Sequence, residues 1–246
     1  MVVMEYPRPI TSIHQIEISS RCNLRCVYCP SPKLHQPVEK GGSARAKEDI
    51  STANFCRALA WASHFDELGT QHELALTGIG EALLHPHFVE FLRLSREALP
   101  ENRITFSTNG ILLTETLCEQ IAPYRPEVYI SLHRPEKAKP AIDIAHRFGL
   151  LKAVNASFAT LAFDWAGQLD WPSQIPPNSM VCEFLRTGWA VVFADGRITT
   201  CCLDAMGGGV VGHVDDEIGS LGIQPWQTTG QDGRVIGCAS CHLEVP

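Results

Sequence analysis

Along the first 160 residues, short apolar or alternating runs are each followed by a stretch with apolar side chains three and four positions apart. Ile13 to Ser19 largely alternates apolar and polar residues, the period of a strand, and by parity Gln15 and Glu17 share one face. Ser51 or Thr52 can cap a helix running to about Phe65, with Phe55, Leu59 and Ala62 on one side and Cys56 read as a small buried residue. Further strands are predicted over residues 73–77, 103–107, 128–133 and 151–158, and helices over 88–97, 114–121 and 135–148, with Cys118 in the core. Five alternations of strand and helix predict parallel βα units whose functional groups gather at the C-terminal strand ends. Only about two dozen residues then precede Cys182, too few for three more such units. The fold class is therefore α/β, an open partial (β/α) barrel over residues 1–160.

The last third changes character. After a connector over residues 161–180, a small unit is predicted over 181–246. Trp189 to Phe193 and Ile198 to Cys202 are apolar runs separated by Ala194-Asp195-Gly196-Arg197, a strong hairpin signal. Gly212-His213-Val214 extends it, and a short helix is predicted over Ile218 to Trp226.

Composition narrows the class. With 246 residues, 45% hydrophobic and 19% charged, the chain is an ordinary folded protein with room for a substantial core. A net charge of −7 argues against a broad duplex-DNA footprint. Met1 to Ile10 shows no basic segment followed by a long apolar run, and no apolar run approaches the roughly 18 residues that span a bilayer, so a soluble cytoplasmic protein with no membrane partner is expected. In that compartment ten cysteines point to metal rather than to disulfides.

The densest chemistry lies in Cys22-Asn23-Leu24-Arg25-Cys26-Val27-Tyr28-Cys29. Three thiolates hold three corners of a cubic iron-sulfur cluster and leave one iron open. A zinc site with His35 as fourth ligand is the alternative, although zinc sites usually show paired Cys-x2-Cys or Cys/His spacings. This CxxxCxxC closely resembles the motif of the radical S-adenosylmethionine (SAM) enzymes. The resemblance implies a [4Fe-4S] cluster on Cys22, Cys26 and Cys29 whose open iron takes the amino and carboxylate groups of SAM. It also implies reduction by an external one-electron donor of the flavodoxin or ferredoxin type, cleavage of SAM, and hydrogen abstraction from a substrate by the resulting 5′-deoxyadenosyl radical.

Other segments are similar to further elements of that family and cover roughly residues 13 to 160. Gly78-Ile79-Gly80-Glu81-Ala82 resembles its Gly-Gly-Glu-Pro element, which receives the methionine end of SAM; Gly80 and Glu81 match, whereas Ile79 and Ala82 depart from it. Ser107-Thr108-Asn109-Gly110 is similar to the segment that meets ribose and carboxylate, which assigns Ser107 and Asn109 to SAM, as Ser131 on the fourth strand is assigned. Tyr28, beside the last cluster cysteine, joins that cofactor-binding set.

Cys182, Cys201, Cys238 and Cys241 flank the hairpin and end in Cys-x2-Cys. This set resembles the auxiliary-cluster ("twitch" or SPASM-like) domain of some radical SAM enzymes, among them aminoglycoside-pathway alcohol dehydrogenases of the 2-deoxy-scyllo-inosamine kind. The resemblance implies a second [4Fe-4S] cluster, with Cys202 as an alternative to Cys201 and zinc as an alternative metal. Glu17, His133 and Asp164 are candidate catalytic groups, with Asp170 and Asp204 behind them and Trp165 as a wall of the substrate pocket. The function expected is a radical SAM oxidoreductase acting on a small molecule. Modification or isomerisation of a peptide, nucleotide or nucleic-acid base is the alternative enzyme class, and a cluster- or zinc-binding interaction module is the non-enzymatic one.

Overall fold

In a computed structural model of the chain, the described residues are 8–34, 36, 45–155, 165, 169 and 187–223. The strands are β1 (Arg8–Pro9), β2 (Ser12–Ile16), β3 (Glu73–Leu76), β4 (Arg103–Thr108), β5 (Glu127–Ser131), β6 (Leu151–Asn155), β7 (Trp189–Val192), β8 (Arg197–Thr199), β9 (Val210–His213) and β10 (Gly222–Ile223). The helices are α1 (Ser31–Leu34), α2 (Thr52–Glu67), α3 (Phe88–Ala98), α4 (Glu115–Ile121) and α5 (Pro135–Arg147). Short 3-10 turns lie at Ala82–Leu84 and Ala122–Tyr124.

One sheet holds eight strands in the order β6-β5-β4-β3-β2-β7-β8-β9. Neighbours from β6 to β2 are parallel, as βα units require, and the α/β partial barrel expected from the sequence is the fold. Helix starts follow local chemistry. Ser51 accepts a hydrogen bond from the amide of Asn54 and Thr114 one from Leu117, each supplying an acceptor to an otherwise unpartnered first-turn donor. Phe55, Trp61 and Ala62 of α2 are fully buried with Ile13 and Ile16 of β2, and the Phe55 ring stacks on Phe91 of α3 with centroids 3.8 Å apart.

The hairpin joins this sheet directly. Strand β7 pairs in parallel with β2, and β8 and β9 continue antiparallel. The sequence assigns the hairpin to a unit separate from the barrel, but hydrogen bonding makes it an extension of the core sheet. The boundaries expected at 160/161 and 180/181 lie outside the described residues. Where β7 meets β2 the register slips between Ile13 and Gln15. There the buried Gln71 carboxamide accepts from the Ile13 amide at 2.9 Å and donates to the Ile13 carbonyl at 2.8 Å, and His14 stacks on Trp189.

Two local expectations are corrected. Residues 218–221 are not helical, and Gly222–Ile223 is instead a strand pairing antiparallel with β1; Gly219, at φ 81°, interrupts any helix there. Cys56 is exposed rather than buried, because it follows Phe55 by about 100° of helical turn and leaves the buried stripe Phe55, Ala58, Leu59, Ala62. Cys118 is buried. Among the described residues no helix is long and apolar enough to cross a membrane.

These two faces of α2 make a direct comparison. Phe55→Ala is expected to lower unfolding free energy by about 3–5 kcal/mol, and Cys56→Ser to change it by less than about 0.5 kcal/mol. Urea unfolding followed by far-UV circular dichroism measures both.

Candidate active site

The C-terminal ends of β2 to β6 open into one cavity of about 530 Å3. That is within the range, roughly 300–1,000 Å3, that cofactor and small-molecule sites occupy. Its first wall is the loop after β2, which brings Cys22, Cys26 and Cys29 to the same cavity. The loop is held by its own backbone: the Cys29 amide donates to the Cys26 carbonyl at 3.2 Å, and the Leu24 amide donates to Cys22 Sγ at 3.4 Å. Burial raises the Cys22 thiol above its ordinary pKa, and with the charges of the neighbouring cysteines it pushes Cys29 up to about 12. A bound metal favours the thiolate form and would offset these shifts.

The second wall is the glycine loop after β3. A Cβ on Gly80 would fall against the carbonyl oxygens of Ser19 and Arg21, and one on Gly78 against the Glu17 side chain, so only glycine lets the two loops touch. The Glu81 amide donates to the Arg21 carbonyl at 2.7 Å. The Glu81 carboxylate, 2% exposed, accepts from Thr108 Oγ1 at 2.7 Å and from the Asn109 amide at 2.8 Å. Its pKa is raised by burial, partly countered by these donors. Gly80 and Glu81 thus line the cavity while tying the loops after β3 and β4 together. Ser107 and Asn109 line it too; the Asn109 carboxamide donates to Asn23 and accepts from the Ile111 amide, linking the β4 loop to the cysteine loop.

Glu17 is not among the residues that line the cavity. Its carboxylate is buried in an ion pair with Arg45 and accepts from the amides of Ile79 and Ala194. The expectation that parity would aim it into the site fails because β2 ends at Ile16 and Arg45 holds the side chain behind Gly78. Gln15, on the strand itself, does line the cavity. Arg45 also donates to the Ala205 carbonyl and packs over the Phe193 ring, 3.8 Å from its centroid. Sequence reading missed Arg45. It lies in a basic, glycine-rich stretch with nothing local to mark it as buried.

The far wall comes from β5 and β6. Ser131, His133 and Asn155 line it, with Trp165, Cys202 and Leu203. Tyr28 is buried beside it; its hydroxyl lies 3.2 Å from His133 Nδ1, and Trp165 Nε1 donates to the Tyr28 carbonyl at 2.9 Å. Burial lowers the His133 pKa below its ordinary 6.5, so the imidazole is neutral at neutral pH. Asp204 is not part of this wall. It accepts from Thr199 Oγ1 and the amides of Gly208 and Gly209, each at 2.8 Å, and staples the loop after β8. Cys202, rather than Cys201, lines the cavity, while Cys201 Sγ accepts from the Leu203 amide at 3.4 Å. His35, Asp164, Asp170, Cys182, Cys238 and Cys241 lie outside the described residues.

A model of the Radical SAM superfamily matches residues 16–156, more than half of the chain. The chain belongs to the radical SAM superfamily. It is 32% identical over 132 residues to the tungsten-containing aldehyde ferredoxin oxidoreductase cofactor-modifying protein of Pyrococcus furiosus, covering 53% of this chain and 33% of that protein. It is 37% identical over 118 residues to the GTP 3′,8-cyclase of Peptoclostridium acidaminophilum, covering 48% and 33%. The chain thus spans about a third of the length of these curated relatives. Among solved structures it is similar to BtrN in complex with AdoMet and 2-DOIA, with TM-score 0.68, 21% identity, and 86% and 81% of the two chains covered. It is also similar to native anSMEcpe with bound AdoMet, with TM-score 0.57, 14% identity, and 83% and 78% covered. At these identities the likeness is one of fold.

Radical SAM enzymes use a [4Fe-4S] cluster and SAM. The donor set fits: Cys22, Cys26 and Cys29 share one cavity at the spacing of the family motif, three thiols that can hold three corners of a cubic cluster. The zinc alternative for these three cysteines is set aside by the family.

The Glu17–Arg45 pair yields a stability test. Arg45→Ala is expected to cost about 3–5 kcal/mol by leaving a buried carboxylate without its partner. The double variant Glu17→Gln/Arg45→Met is expected to lose less than the sum of the two single substitutions, as a urea-unfolding cycle would show.

Proposed function

We propose that the protein is a radical SAM oxidoreductase that removes hydrogen from a small polar substrate. The observation that carries this reading is one cavity lined both by the three cluster cysteines and by a neutral histidine, with Ser131 and Asn155. When bound, the cluster and SAM supply one-electron cleavage to a hydrogen-abstracting 5′-deoxyadenosyl group. Oxidation of a C–H bearing alcohol or amine also releases a proton, and His133 is proposed to take it. Tyr28, whose hydroxyl lies 3.2 Å from Nδ1, fixes the orientation of the imidazole. Trp165 supplies an apolar wall that limits water, and Ser131 and Asn155 supply donors and acceptors for substrate hydroxyls. Asp164 remains a proposed contributor on sequence grounds.

Cys182, Cys201, Cys238 and Cys241 are proposed to hold a second [4Fe-4S] cluster, which would accept the remaining electron. The similarity of fold to BtrN, crystallised with AdoMet and 2-DOIA, supports a dehydrogenase-like reaction. The cavity volume and the acidic net charge support a small substrate over duplex nucleic acid. A second reading, nucleotide modification, is supported by 37% identity to a GTP 3′,8-cyclase across the core.

Iron, sulfide and zinc per chain after anaerobic reconstitution test the cofactor content. About eight irons and eight sulfides are expected for two clusters, and about four irons with one zinc would remove the second cluster from the reading. Cys26→Ala is expected to abolish 5′-deoxyadenosine formation; an unchanged yield would overturn the enzyme assignment. Assays with GTP and with a panel of amino and hydroxy polyols separate the two readings by which compound is consumed.

The His133 role predicts a pH profile. A base must be unprotonated, and the folded pKa lies below 6.5. The acid-side midpoint of substrate oxidation should therefore lie below 6.5, and His133→Gln should lower the rate by about 10²–10⁴-fold while removing that acid-side decline.

A further inference from the structure

We propose that the outward face of the cysteine loop, around Arg25 and Val27, is the landing surface for a small acidic one-electron carrier protein. This rests on the radical SAM reading, since only a redox centre behind the loop gives such a carrier a reason to dock there.

The loop is two-sided. Cys22, Leu24 and Cys26 line the cavity, whereas the intervening Arg21, Arg25 and Val27 are exposed. At 74% exposure Val27 is the most exposed large apolar side chain among the described residues, and it directly follows a cluster cysteine. An isolated surface valine needs no explanation, but this one sits among positive charges. The chain carries a net charge of −7, yet Ser20 to Lys33 contains three cations and no acid. Lys47, also exposed, lies within electrostatic reach of Cys22. Neither Arg25 nor Lys47 forms an ion pair among the described residues. Among the described residues, Asp49 lies 3.7 Å from Arg21, and Glu48 beside it is partly buried.

The route of the electron selects this face. The cavity side of the loop is where SAM and substrate sit, so a carrier approaching from there would meet occupied space. On the outward side, the exposed Arg21, Arg25 and Val27 are sequence neighbours of Cys22 and Cys26. Arg25, Arg21 and Lys47 can meet an acidic rim, and Val27 provides a dry contact at its centre. One electron leaves the carrier, which is oxidised by one unit, and enters the cluster, which is reduced by one unit; no proton or leaving group moves.

The test uses the reconstituted protein with two kinds of reductant, protein carriers (reduced flavodoxin and reduced ferredoxin) and the small cation reduced methyl viologen. Carrier affinity and the rate of cluster reduction are read separately by titration and stopped-flow absorbance. Carrier-driven reduction should slow as salt rises. Arg25→Glu should weaken carrier binding and slow carrier-driven reduction by about tenfold or more at low salt, with a smaller loss in Arg25→Gln, because steering of this kind is worth roughly 10–10³ in rate. Reduction by methyl viologen and iron content should stay unchanged. Unaltered carrier binding in Arg25→Glu, equal loss with both kinds of reductant, or no reduction by either carrier would overturn the docking surface. Absence of SAM cleavage by the viologen-reduced, unsubstituted protein would instead overturn the functional reading.

Discussion

The site is assembled around a buried ion pair. Glu17 and Arg45 are each 2% exposed, so both charges have left water, and the cost of that transfer is offset only by full hydrogen bonding. The partners that supply it belong to different parts of the chain. Glu17 accepts from Ile79 in the glycine loop and Ala194 in the hairpin, while Arg45 donates to Ala205 beyond the hairpin. Breaking the pair would strand a charge, and therefore these segments are held together wherever the protein is folded. The Ile79 carbonyl in turn lies 3.9 Å from Cys29 Sγ, so the constraint reaches the cluster cysteines.

A second carboxylate works the same way on the other side of the glycine loop. Glu81 is buried, with Thr108 and the Asn109 amide as donors, and Asn109 reaches back to Asn23 between the first two cysteines. Two acidic residues that read as chemistry in sequence act here as loop ties. His133 lines the same cavity, with the Tyr28 hydroxyl 3.2 Å from its Nδ1. Burial raises the proton affinity of both carboxylates, and the donors around them, Arg45 for Glu17 and Thr108 with the Asn109 amide for Glu81, partly counter it.

The barrel also gains from the hairpin. Strand β2 carries the cysteine loop, and pairing with β7 gives it a neighbour on each side, which fixes the direction in which that loop leaves the sheet. The adjustment is local, a slipped register at His14 with Gln71 serving the displaced backbone of Ile13.

Short-range pattern alone determined much of this. Alternating and helical periods placed four βα units and the fifth strand to within a few residues, Ser51 and Thr114 lay where their side chains bond the next turn, and Cys22, Cys26 and Cys29 announced a cluster loop through local spacing. The glycine loop and Ser107 to Gly110 were legible for the same reason, since each is a contiguous segment with its chemistry written in neighbouring residues. What only the tertiary structure decided were matters of distance along the chain: that Arg45 turns inward to meet Glu17, that Asp204 staples its own loop, and that β7 adds to β2 rather than standing in a separate unit. Glu17 stands 28 positions from Arg45 and 177 from Ala194, and nothing local marks either pairing. Such partners are selected by the high cost of burying a charge or a backbone amide alone, and that cost arises only once the sheet has closed around them.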